Sequence, residues 1–326
     1  MKHNRMRRLL AGVTAAALLA APALAAEDTA PAPQMPDAWA VGELADSYAM
    51  GLVDDNYTTY IQSTITSEQL SAMTGIVADK LALLELPQRE GKLSAAELRT
   101  YLEGFYGDEN HEHMVFPGMV YLSWPTELGT LYTRAELGEI HKVCRQYKIP
   151  LYLDGARMGY GLASRGSGMT LADLAASCDV FYIGGTKVGA LFGEAVVISS
   201  PALQRDFRYC IKRHGGMLAK GRLLGLQFEA LFEDGLYLQL GRHGVEQALR
   251  IREACLRRGL PLHFDSRTNQ QFPVLTRAQR ERLEEKYAFT FWEQLDDDRA
   301  VVRFCASWAT DPAAVDALTA DLLSLP

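Results

Sequence analysis

Two residues 33 apart, Asp154 and Lys187, carry the chemistry that the sequence makes legible. Each closes a short apolar run: Pro150 to Leu153 leads into Asp154-Gly155-Ala156-Arg157, and Val180 to Gly184 leads into Gly185-Thr186-Lys187. A lysine amine forms a Schiff base with a carbonyl, and a carboxylate holds a protonated pyridine nitrogen. Together they are the two groups that chemistry on pyridoxal 5'-phosphate requires. The glycine pair Gly184-Gly185 lets backbone pass close to a flat ring. Either residue alone reads more simply as a turn acid or a solvated lysine. It is their shared register on consecutive strands that favours the chemical reading.

The elements needed to position them are present. Apolar runs at Met119 to Trp124, Pro150 to Leu153 and Val180 to Gly184 are separated by helical patterns at Arg134 to Tyr147 and Leu171 to Ser177. Strand–helix alternation at this spacing predicts βαβ units and a largely parallel sheet, whose functional residues collect at the C-terminal strand ends. Glu194 to Ser199 follows a glycine-rich turn and enters the sheet by a different connection. A helix over Leu93 to Phe105 is expected from Ser94 and Glu97 as a capping pair. The chain reads as helical from Pro201 to Gly241, with a further α/β segment to the C-terminus.

The first 90 residues have another style. Lys2, Arg5, Arg7 and Arg8 precede an apolar run from Leu9 to Ala21 and a small-residue site at Ala23-Leu24-Ala25, the pattern of a secretory signal peptide over residues 1–25. Removing its four cations takes the formal charge from −7 to −11. Export or a cell-surface location follows from that pattern, although the remainder is cytoplasmic in style. Cys144, Cys178, Cys210, Cys255 and Cys305 are widely spaced without a CxxC pair, so they read as small hydrophobes and suggest neither zinc nor a disulfide framework. No metal is expected. Residues 26–36 are a Pro/Ala-rich linker. Trp39 to Met50 and the helix opened by Thr66 and Gln69 form an amphipathic hairpin over residues 37–86. Through Trp39-Ala40, Gly51-Leu52-Val53 and Tyr60 to Gln69 it resembles a single S-layer homology repeat, and the resemblance implies contact with a cell-wall polymer.

Hydrophobic residues at 48% and charged residues at 22% describe a chain with material for a sizeable core, which excludes wholesale disorder. The acidic balance argues against a nucleic-acid partner.

From Gly91 to Pro326 the sequence resembles low-specificity L-threonine aldolases, in the β-eliminating lyase group of fold type I pyridoxal phosphate enzymes. Six segments carry the likeness: Ser123 to Gly129, Leu151 to Gly159, Tyr182 to Ala190, Gly215 to Met217, Thr268 to Pro273, and Val301 to Arg303. The resemblance implies an α/β fold like that of aspartate aminotransferase. Its large domain would span residues 91–241, truncated at the N-terminal part, with a C-terminal α/β small domain over 242–326. It implies Lys187 as the Schiff-base lysine, Asp154 as the partner of the pyridine nitrogen and Arg157 as a contact of the ring hydroxyl. Glu127 and Thr126 fall where members act on the substrate hydroxyl, often with a histidine instead. Arg303 would bind the substrate carboxylate with Ser123 nearby, and Lys220 and Arg222 would reach a phosphate across a homodimer or homotetramer interface. The activity implied is cleavage of a small β-hydroxy amino acid such as threonine or allo-threonine to glycine and an aldehyde. A glycine-rich phosphate turn and a ring-stacking histidine are not found before Gly91. Weak cofactor binding by a single chain is therefore expected, and an impaired remnant displayed through a wall-binding segment is the alternative function.

Overall fold

The computed structural model describes residues 91–326. The expected signal peptide, linker and S-layer-like hairpin lie outside the described residues, as does the whole segment before Gly91. Two compact units divide the chain, and the one holding Pro87–His111, Phe116–Phe207 and Leu218–Pro326 carries every element labelled below.

Helix α1 (Ala95–Gly107) opens with the Ser94–Glu97 capping box. Strand β1 (Val120–Ser123) leads to α2 (Arg134–Gln146), capped by Thr133 and Glu136. Strand β2 (Leu151–Asp154) is followed by the short α3 (Met158–Ala163) and α4 (Leu171–Ser177), capped by Thr170 and Asp173. Each box satisfies backbone donors that a helix start otherwise leaves unpaired. Strands β3 (Val180–Gly184) and β4 (Glu194–Ile198) complete a sheet in the order β1-β2-β3-β4. The first three are parallel and β4 is antiparallel to β3. That is the different connection its glycine-rich approach suggested.

Period-two alternation divides this sheet. Leu122, Leu151, Leu153, Phe181 and Ile183 are buried on one face, and the apolar stripes of α2 (Leu137, Ile140, Val143, Cys144) and α4 (Leu174) are buried as well. The other face presents Tyr121, Tyr152, Asp154 and Tyr182.

After α5 (Pro201–Gln204), the chain departs from the continuous helix expected up to Gly241. A short helix at Phe207–Arg213 belongs mostly to the second unit, and α6 (Arg222–Phe232) is separated from α7 (Leu236–Arg258) by a turn in which Asp234 takes a positive φ of 51°. Helix α7 does not stop at Gly241 but runs on to Arg258. Gly241 is an interior contact point: a Cβ there would stand 2.4 Å from the carbonyl oxygen of Gly159, so glycine admits the close crossing of α7 over α3. The helix ends where Gly259 supplies a left-handed C-cap at φ 82°.

Strands β5 (Gln270–Gln271), β6 (Val274–Thr276), β7 (Thr290–Gln294) and β8 (Arg299–Cys305) form an antiparallel sheet, with α8 (Arg277–Glu284) between β6 and β7. Ile251 and Cys255 of α7, Val302 and Phe304 of β8, and Val315, Leu318 and Leu322 of α9 (Pro312–Leu323) form its core. Cys144, Cys178 and Cys255 are buried as small hydrophobes, whereas Cys210 and Cys305 are exposed, against the expectation for all five. No helix of the described residues is long and apolar enough to cross a membrane.

Candidate active site

The ends of β2 and β3 meet backbone to backbone. Gly184 N–H donates to the carbonyl of Gly155 (2.9 Å). A Cβ on Gly155 would fall 1.9 Å from the Tyr182 carbonyl oxygen, and one on Gly184 would fall 2.2 Å from that of Ala156. Only glycine fits at either place, so Asp-Gly and Gly-Gly are requirements of this junction. It carries Asp154 as the last residue of β2 and Lys187 in the 3-10 turn Thr186–Val188 that follows β3.

Lys187 is held through its backbone. Its carbonyl accepts from the Tyr160 hydroxyl, which in turn accepts from the N–H of Trp308 (3.3 Å). The turn before it is fastened by Glu194 of β4, which accepts from Gly185 N–H (2.5 Å) and from the Thr186 hydroxyl (3.1 Å). Tyr237 of α7 spans the junction, accepting from Gly159 N–H (3.0 Å) and donating to the Gly184 carbonyl (2.8 Å).

Lys187 is exposed along part of its side chain, yet the protein around its ammonium lowers its pKa, first by desolvation and second by repulsion from Arg157. Glu127, Asp154 and Glu194 oppose that shift. The shift is toward the neutral amine, the form that attacks a carbonyl. Desolvation raises the pKa of Glu194, against the hydrogen bonds from Gly185 and Thr186.

Asp154 is nearly buried, at 9% exposure. Its Oδ1 accepts from Ala156 N–H (2.9 Å) and from the Tyr182 hydroxyl, and its Oδ2 accepts from the Tyr121 hydroxyl. Arg157 is paired with Glu127 (Nη1 to Oε1, 2.8 Å), with their side chains 11% and 36% exposed. Gln270 Nε2 donates to the Glu127 carbonyl (3.2 Å), while its Oε1 accepts from Arg303 Nη1 (3.1 Å). Arg303 also reaches Thr290 (3.4 Å) and lies over the Trp292 ring, 5.4 Å from its centroid.

The structure thus gathers Asp154, Lys187, Arg157 and Glu127 at the strand ends and ties Arg303 to them through Gln270. Ser123 stands beside Asp154 as its register partner across β1 and β2. Thr126 differs: at 2% exposure its hydroxyl is committed to Thr130, 2.7 Å from that hydroxyl and accepting from its N–H (3.1 Å). It shapes the turn that carries Glu127. Lys220 and Arg222 are exposed at the start of α6. Glu194, Tyr160, Tyr237, Gln270 and the tyrosines on Asp154 join the site without having been expected from the sequence. Only the tyrosines had a signal, an aromatic two residues before Asp154 repeated on both neighbouring strands. Among the described residues no group of three His, Cys, Asp or Glu side chains could hold a metal ion.

Residues 63–234 match the family described as beta-eliminating lyase. This chain is a beta-eliminating lyase by family. The match begins at residue 63, upstream of the Gly91 at which the resemblance was first legible. The family's relatives include the low specificity L-threonine aldolases of Pseudomonas sp. (strain NCIMB 10558) and Pseudomonas aeruginosa. They are 31% and 30% identical over 242 and 241 residues, which are 74% and 73% of this chain and 68% of each relative. The threonine aldolase structure from Leishmania major superposes with a TM-score of 0.69 at 32% identity, covering 86% of this chain and 81% of that one. A 4-hydroxyphenylacetaldehyde synthase from Rhodiola rosea shares the fold alone, with a TM-score of 0.55 at 16% identity over 72% of this chain and 54% of that one. The fold is that of the fold type I pyridoxal phosphate enzymes, and members of the beta-eliminating lyase family depend on this cofactor. The residues fit the group: a carboxylate at one strand end, an amine of lowered pKa at the next, and a junction that admits no side chain between them.

Proposed function

We propose that this beta-eliminating lyase cleaves threonine-like β-hydroxy amino acids to glycine and an aldehyde. The observation that supports it most is the Gly155–Gly184 junction, which sets Asp154 and Lys187 on adjoining strand ends beside the Glu127–Arg157 pair. Pyridoxal phosphate, when bound, supplies an electron sink for the bond broken at Cα. Asp154 would hold its pyridine nitrogen, and the Lys187 amine its aldehyde carbon. Arg157 would lie toward the ring hydroxyl while its ion pair orients Glu127.

Glu127 takes the proton from the substrate β-hydroxyl at Oε2, the oxygen that is not bonded to Arg157. The Arg157 guanidinium fixes Oε1 and so orients the carboxylate, as a base in this position requires. Arg303 binds the substrate carboxylate. Its buried Nε–H has no acceptor among the described residues, and Gln270 holds its Nη1 side in place. Ser123 adds a hydroxyl next to Asp154. Lys220 and Arg222, exposed cations at the start of α6, would bind the phosphate of the cofactor. Exposed Leu191, Phe192, Leu223 and Leu226 support a homodimer that would bring this end of α6 against a second copy.

The test is a titration of the purified full chain with pyridoxal phosphate, followed by aldehyde release from threonine, with Lys187→Ala as control. Saturable cofactor binding and turnover lost in the control are expected. Tight binding without aldehyde from any β-hydroxy amino acid would leave a lyase fold without this reaction and favour the impaired alternative.

A further inference from the structure

Three tyrosines stand side by side on the face of the sheet that carries Asp154, and the reaction above uses none of them. Tyr121 and Tyr152 are register partners on β1 and β2, stacked with centroids 5.3 Å apart and planes 8° from parallel. Tyr152 and Tyr182 follow at 6.2 Å. Asp154 lies two residues beyond Tyr152 and so shares its face. The stagger of β3 against β2, with Leu153 opposite Phe181, brings Tyr182 level with Asp154.

The carboxylate is tied from both sides. The Tyr121 hydroxyl donates to Oδ2 from β1, and the Tyr182 hydroxyl donates to Oδ1 from β3. Ala156 N–H adds a second bond to Oδ1 at 2.9 Å. An ionised carboxylate accepts at about four lone-pair positions. Three are used here, and the remaining capacity belongs to Oδ2. The terminal torsion of an aspartate is otherwise broad, so donors on two different strands are what fix the plane of the group. Burial first, and then the charge of Asp154, raise the pKa of both phenols, which keeps them donors.

We propose that Tyr121 and Tyr182 are positioning residues for the pyridine nitrogen: each fixes one oxygen of Asp154, so that the last acceptor position of Oδ2 is held for the ring N–H. The proposal rests on the cofactor reading above. It makes the tyrosines act only through the ring nitrogen, and that permits a test independent of turnover. Full-length protein is titrated with pyridoxal phosphate and with its 1-deaza analogue, which has carbon in place of the ring nitrogen. The wild type, Tyr121→Phe, Tyr182→Phe and Tyr152→Phe are compared.

The wild type is expected to prefer pyridoxal phosphate. Tyr121→Phe and Tyr182→Phe should each reduce that preference by about tenfold, the scale of one charge-assisted hydrogen bond, while leaving affinity for the analogue unchanged. Unchanged analogue affinity also reports that the variant is folded. Tyr152→Phe, whose hydroxyl is not bonded to Asp154, should alter neither ligand. Equal weakening of both ligands would show a packing role and overturn the proposal, as would a preference untouched in both variants. A wild type that binds neither ligand would remove the cofactor reading, and this proposal with it.

Discussion

The two faces of strands β1 to β3 are built from the same thirteen residues, taken alternately, and do opposite things. On one, Leu122, Leu151, Leu153, Phe181 and Ile183 are at most 4% exposed and supply cohesion. On the other, Tyr121, Tyr152 and Tyr182 surround a carboxylate whose three donors come from three different segments. Alternation along a strand is what joins the two. Every leucine committed to the core fixes which way its neighbours project, so the aliphatic face determines the geometry of the polar one. Chemistry at the strand ends is in this sense a consequence of packing below it.

Substitutions can separate the faces. The largest effect is expected from Lys187→Ala, which should bring aldehyde release to background without loss of stability, because the side chain is part-exposed and its turn is held through backbone groups; unfolding curves and steady-state rates check both halves. Next, Glu127→Gln should lower kcat by about 10²–10⁴, the usual worth of a positioned base, with cofactor affinity preserved. A fall in affinity as large as the fall in kcat would place Glu127 in binding instead. On the aliphatic face, Leu153→Ala should cost about 2–5 kcal/mol of stability by denaturant unfolding. If the faces are coupled as argued, it should also loosen cofactor binding without removing any polar group.

The smallest effect is that of pH. Lys187 has a folded pKa below that of an ordinary lysine, ~10.4. The folded state therefore binds fewer protons at this site than the unfolded state in the window between the two values, and its contribution to stability rises as pH rises through that window. The rate of cofactor capture should rise with it, with a midpoint below ~10.4. A midpoint at the ordinary value would mean that the amine is not desolvated.

How much of this was legible in the sequence follows from where each signal resides. The capping box at Ser94 and the helical patterns from Arg134 and Leu171 are local, and those helix starts came out within a residue or two. The strand ends at Asp154 and Lys187 were legible because alternation and turn glycines are local too. Gly241 misled because a glycine that ends a helix and one that admits a neighbouring helix look alike in sequence; only the 2.4 Å approach to Gly159 distinguishes them. Thr126 has a similar non-local side: its hydroxyl stands beside a glutamate in the sequence, but its bond to Thr130 is visible only in the fold. Glu194 and Gln270 could not be read at all, since their roles arise from pairing across β3–β4 and across the 143 residues between Glu127 and Gln270.

The central claim is that the β3 end presents Lys187 to the cofactor aldehyde beside Asp154. Borohydride reduction of the protein loaded with pyridoxal phosphate, followed by peptide mass mapping, tests it directly. The account predicts a phosphopyridoxyl group on Lys187, lost when Asp154 is replaced by Ala under limiting cofactor. Label on Lys220 or scattered over surface lysines, with Lys187 unmodified, would contradict it.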